Sequence, residues 1–148
     1  MASISFTKFH GFGNDYIVME KAGLPPETDL QELAKAICHR HTGAGADGIA
    51  VVEKLDGETA DHFCEIVNPD GSIAGFSGNG TRCAVAYLYK NGWNKNELRL
   101  ATRSGIKHFT LIEEVSDGTY WFEAAIGKPL FASHEIPFAV DMPSESVI

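Results

Sequence analysis

Apolar and polar residues alternate in Ile4-Ser5-Phe6-Thr7, which predicts a half-buried strand at the start of the chain. A glycine-rich turn follows, His10-Gly11-Phe12-Gly13-Asn14-Asp15, and Tyr16-Ile17-Val18-Met19 resumes as a second strand. After Pro25-Pro26, Asp29 and Glu32 stand at capping-box spacing, and Leu30, Leu33 and Ile37 share one helical face. That pattern predicts an amphipathic surface helix. Cys38-His39-Arg40-His41 ends it, with basic residues where they complement the helix dipole. Residues 49–52, 62–67 and 73–76 read as strands, broken by the turn Asn68-Pro69-Asp70-Gly71. In the middle one, Phe63, Glu65 and Val67 face one way and His62, Cys64 and Ile66 the other, which makes Cys64 a core residue.

The next segment has no polar face. From Arg82 to Tyr89 only Arg82 is charged, and a helix that is apolar on every side is buried on every side. At roughly 14 residues it is too short to span a membrane. Its first turn, Ser77-Gly78-Asn79-Gly80, brings unpaired backbone N–H groups together with the positive end of the dipole. Such a start suits a carboxylate or phosphate. Beyond Gly92 the chain reads as strands at 97–102, 106–112 and 119–126, the last two joined by a hairpin at Ser116-Asp117-Gly118. The sum is about eight short strands, one surface helix and one buried helix. The fold class is therefore α+β, a curled mixed or antiparallel sheet wrapped around a central helix. Residues 1–132 form this lobe, and 133–148, with Pro137 and Pro143, read as a tail or linker.

Composition narrows the function. Twenty acidic residues against twelve Lys and Arg give a formal charge of −8, which argues against nucleic acid as a partner. No basic start followed by a long apolar run suggests a signal peptide, and no apolar run reaches membrane-spanning length. Cys38, Cys64 and Cys83 make an odd number without framework spacing, which favours a reducing, cytoplasmic setting. Gly43-Ala44-Gly45-Ala46-Asp47-Gly48 matches G-x-G-x-x-G, but with a helix before it and a strand after it. A dinucleotide site needs the opposite order, so this reading is rejected.

Five motifs in register carry more weight than any one. HGFGNDY at 10–16, GAGADG at 43–48, NPDGS at 68–72, SGNGTRC at 77–83 and AIGKP at 125–129 together resemble the N-terminal half of diaminopimelate epimerase. The resemblance runs from Ser3 to about Phe138. It implies a two-lobed, cofactor-independent and metal-free enzyme that converts L,L- to meso-diaminopimelate for lysine and cell-wall synthesis. It further implies two cysteines, one at the start of each lobe's central helix, that exchange the α-proton from opposite faces. Asn14 and Asn68 would contact the amino-acid substrate, and Gly78 and Asn79 would offer backbone N–H groups to its α-carboxylate.

Ser77 stands where the resemblance places the first catalytic cysteine. A free thiol has a pKa near ~8.5, which a helix N-terminus lowers, whereas an alcohol is a far weaker acid. Cys83 cannot substitute, being roughly 9 Å further along the helix and about 240° round it. The implied second lobe and its cysteine are not in these 148 residues. Gly48 is a minor departure, since some family members are expected to carry a polar side chain there. The expectation is an epimerase lobe inactive as it stands. The alternatives are a proline racemase-, hydroxyproline epimerase- or dehydratase-like enzyme, and a non-catalytic carboxylate-binding lobe. Ser77 itself is open to three readings: an introduced change, a natural variant with altered chemistry, or the mark of a non-catalytic paralogue. The inter-lobe face, carrying Asn14, Asn68 and Ser77, is expected to be exposed and able to self-associate.

Overall fold

In the computed structural model, residues 3–132 and 134–136 are described. Most of the proposed tail from residue 133 lies outside them, so that boundary stays an expectation. Among the described residues eight strands occur: β1 (Thr7–Gly11), β2 (Asn14–Glu20), β3 (Ile49–Lys54), β4 (His62–Val67), β5 (Ile73–Ala74), β6 (Glu97–Thr102), β7 (Gly105–Ser116) and β8 (Thr119–Ala125). Two α-helices join them, α1 (Leu30–Ile37) and α2 (Gly78–Lys90), with a 3-10 turn at Lys21–Gly23. The sheet runs β1-β2-β3-β4-β6-β7-β8, with β5 paired to β4.

Two of the pairings, β2 with β3 and β4 with β6, are parallel. Each needs a crossover. Helix α1 makes the first crossover, and the second runs through β5 and α2. The helices lie on opposite faces of the sheet. Tyr16, Val18, Ala50, Val52, Cys64 and Ile66 pack with Cys83, Ala84, Val85 and Leu88 of α2. Ile17, Met19, Ile49, Val51 and Val67 form a second cluster with Ala34 and Cys38, against Leu30, Leu33 and Ile37 of α1. Burial on both faces explains why these strands read as continuous apolar runs.

Helix α2 touches β1, β2, β3, β4 and β8, so the sheet curls around it and only its last residue, Lys90, is exposed. The curl stays open between β1 and β8. A cavity of about 770 Å3 separates these edges, floored by Asn79, Arg82, Cys83, Ala86 and Lys90 of α2. Helix α1 is capped by Asp29, whose Oδ1 accepts from the N–H groups of Gln31 and Glu32. Glu32 does not close the capping box but pairs with Lys35.

The first strand differs from the expectation. It spans 7–11 rather than 4–7, and the turn shrinks from His10–Asp15 to Phe12 and Gly13 alone. Both have positive φ, 54° and 87°, the geometry that matches a two-residue hairpin to strand twist. Strand β5 ends at Ala74 rather than Phe76, and β7 extends past Ile112 to Ser116.

Candidate active site

Ser77 is the N-cap of α2, in extended backbone. Its carbonyl accepts from the N–H and the hydroxyl of Thr81, and its Oγ accepts from the N–H of Gly80 at 3.0 Å. Of the first four amides of the helix, those of Gly78 and Asn79 have no hydrogen-bond partner among the described residues. Two adjacent open donors at the positive end of a dipole form a seat for an anion. The guanidinium of Arg82 adds a full positive charge, its Nη1 lying 3.3 Å from where a Cβ on Gly78 would stand. No ion pair engages Arg82 among the described residues.

Asn14 is tied to the same helix start. Its Oδ1 accepts from Asn79 Nδ2 at 3.1 Å, and its Nδ2 donates to Asp47 Oδ2 at 2.9 Å. Asp47 also accepts from the N–H of Asp15, while the Asp47 N–H donates back to Asp15. Arg40 clamps both carboxylates, at 2.7 Å to Asp15 and 2.9 Å to Asp47, and Lys8 adds a 2.9 Å pair to Asp15. The Arg40 hydrogen bond holds the Asp15 carboxyl far below the usual carboxylate range. The basic residue expected to serve the end of α1 thus anchors the GAGADG loop to β2. His39 is spent locally, its Nδ1 facing the N–H groups of His41 and Thr42.

Asn68 sits apart. It opens the β4–β5 turn, where its Nδ2 donates to Ser72 Oγ and its N–H to the Ser72 carbonyl. Gln31 of α1 donates to the carbonyl of Gly71 and holds that turn from outside. No hydrogen bond joins Asn68 to Asn14, Ser77 or Asn79 among the described residues. Asn14, Asn68 and Ser77 are all half-buried.

Tyr16 was not singled out by the sequence. It is 5% exposed, and its hydroxyl lies 2.9 Å from Ser77 Oγ. Its ring fills a slot between two glycines. A Cβ on Gly48 would come within 2.7 Å of the ring, and one on Gly80 within 2.9 Å. Gly48 therefore makes room for Tyr16, which is why no side chain reaches the helix start from that position. Gly43 likewise leaves room for the Ala36 and Ile37 carbonyls of α1, and Gly45 takes positive φ. The glycines of this loop serve packing and turning.

None of the three cysteines replaces a base at Ser77. All are free and buried, and burial pushes the Cys38 thiol up to about 11, that of Cys83 to about 12, and that of Cys64 higher still. Among the described residues, no group of three or more His, Cys, Asp or Glu side chains could hold a metal ion. No helix among them is long and apolar enough to cross a membrane.

The family model described as diaminopimelate epimerase matches residues 6–128. A diaminopimelate epimerase of Methanocella arvoryzae is 40% identical over 141 residues, covering 94% of this chain and 49% of that protein. One from Alkaliphilus metalliredigens is 38% identical over 138 residues, covering 90% and 47%. The chain thus spans about half the length of the curated relatives it matches. Among solved structures, a methylitaconate-delta-isomerase superposes with a TM-score of 0.63 at 16% identity, covering 79% of this chain and 36% of that one. A hydroxyproline epimerase from Agrobacterium vitis, holding trans-4-hydroxy-L-proline, gives 0.59 at 19%, covering 78% and 38%. At such identities these two establish a shared fold.

Proposed function

Because this chain belongs to the diaminopimelate epimerase family, we propose that it forms the lobe presenting one of two proton-transfer positions to L,L-diaminopimelate. The observation that carries the proposal is the pair of open amides on Gly78 and Asn79, beside Arg82 and one residue from Ser77. In this reading the α-carboxylate accepts from both amides, and Asn14 and Asn68 contact the rest of the substrate. The α-carbon then faces residue 77. The complete reaction, L,L- to meso-diaminopimelate in lysine biosynthesis, is a cytoplasmic, cofactor-independent two-base transfer that also uses a second lobe.

With Ser77 in place this lobe binds without turning over. Removing an α-proton calls for a base, and a serine hydroxyl has no thiolate to offer. No His or Lys side chain hydrogen-bonds to Ser77 among the described residues. The inter-lobe face, with Asn14, Asn68 and Ser77, is proposed to pair with the second lobe or with a second copy of this chain. The proline racemase-like reading is the runner-up, and the shared fold supports it only as far as the fold goes.

The test is an NMR titration of the 15N-labelled chain with L,L-diaminopimelate and, separately, L-proline. The Gly78 and Asn79 amide resonances are expected to move with diaminopimelate and to stay in place with proline. Movement with proline alone would replace the reading by its runner-up.

A further inference from the structure

We propose that Tyr16 is a positioning residue whose phenol O–H, together with the N–H of Gly80, fills both acceptor positions of the side chain at residue 77. This rests on the reading that residue 77 is the proton-transfer position.

The direction of each bond follows from what each group can donate and accept. Gly80 N–H can only donate, and it reaches Ser77 Oγ at 3.0 Å. Tyr16 is buried, and Ser77 Oγ is the sole hydrogen-bond partner of its hydroxyl among the described residues. If Ser77 donated to Tyr16, the phenol hydrogen would be buried without an acceptor, a costly arrangement. The phenol therefore donates. A serine oxygen has two acceptor positions and one hydrogen, so Ser77 has both lone pairs engaged and its own hydrogen at the remaining vertex. In that state Ser77 can give a hydrogen bond and cannot take up a proton.

The ring is held for this task. Gly48 and Gly80 flank it with ordinary backbone φ, so their glycine identity answers the space the ring takes rather than any backbone conformation. Val67 limits the slot further, its carbonyl standing 3.1 Å from a Cβ on Gly48. Tyr16 thus couples three motifs: the GNDY turn, the last glycine of GAGADG, and SGNG.

The consequence appears when sulfur replaces oxygen. Two donors aimed at one atom stabilise its anion, so a Ser77→Cys thiol would ionise more readily with Tyr16 than without it. The experiment compares S77C with S77C/Y16F, reading the thiol pKa from the pH dependence of alkylation. The parent chain, whose three cysteines are buried, serves as the blank. Phenylalanine keeps the ring in its slot and removes only the oxygen. The double variant is expected to raise the thiol pKa by about one, an about tenfold loss of thiolate at a fixed pH below it. Equal pKa values in the two variants would overturn the proposal. A second measurement keeps the phenol oxygen in place: replacing tyrosine with 3-fluorotyrosine makes the phenol a stronger donor and should lower the S77C thiol pKa, leaving S77C/Y16F unmoved. No response in S77C would also overturn it. Neither readout uses substrate, so failure to bind diaminopimelate and failure of this proposal are separate results.

Discussion

At the scale of single residues, space around the helix start is what selects the side chains. An added methyl at residue 48 would meet the Tyr16 ring at 2.7 Å and the Val67 carbonyl at 3.1 Å, and Gly80 hems in the same edge of the ring. Gly48→Ala is therefore expected to destabilise the chain by about 1–3 kcal/mol, read as a lower urea midpoint. An unchanged midpoint would mean the slot is looser than its geometry implies. Arg82 supplies charge rather than shape, so Arg82→Gln should weaken diaminopimelate binding several-fold and leave thermal stability nearly unchanged. Equal affinity in the NMR titration would remove Arg82 from the site. His62 provides a pH handle. Burial lowers its pKa below the ordinary 6.5, with Asp61 and Glu20 opposing and Lys54 reinforcing the shift, and its Nδ1 has no hydrogen-bond partner among the described residues. The unfolded chain then takes up the proton first, so stability is full above about 6.5 and declines as pH falls below it. Denaturation curves at several pH values should show that decline in the parent and a smaller one in His62→Phe; identical slopes would contradict it. Ser77, Asn14 and Asn79 were legible at this scale because each sits in a compact motif. Tyr16 was not, since its slot is assembled from three segments about 30 residues apart in sequence.

At the scale of elements, both helices were legible, and for different reasons. Helix α1 announces itself by Asp29 and the Leu30, Leu33, Ile37 stripe. Helix α2 does so by lacking any polar stripe. The first hairpin was misplaced because alternation in 4–7 mimics a strand, while the pairing is set by where Phe12 and Gly13 can turn. The charge cluster behind Asn14 was equally hidden. Arg40 looks like a C-terminal helix residue in one dimension and is a clamp on Asp15 and Asp47 in three. Asp15 is held ionised by that clamp, so its contribution to stability is present above its unfolded pKa of 3.8 and is lost as pH falls further. Arg40→Met should bring the Asp15 carboxyl pKa back toward the ordinary value, followed by NMR titration of the carboxylate. It should also loosen Asn14, which Asp47 holds. A carboxyl that still titrates far below the usual range would shift the credit to Lys8.

At the scale of the whole molecule, the alternation of strands and helices was enough for the α+β class and for a sheet curled on α2. The two parallel pairings were not legible, because hydrophobic pattern reports burial and not direction. What the architecture does for function is specific. The curl buries α2 along its length and leaves its first turn at a half-buried surface, where Gly78 and Asn79 keep their amides open. The proposed function calls for a base at that surface, and this chain presents Ser77 with its oxygen already engaged. The most direct measurement is α-deuterium incorporation into L,L-diaminopimelate in D2O, comparing the chain carrying Ser77 with its S77C variant. The expected result is no incorporation above the uncatalysed background with Ser77 and measurable incorporation with S77C. Incorporation by the Ser77 chain at the rate of S77C would contradict the reading that the binding site is kept and the base is absent.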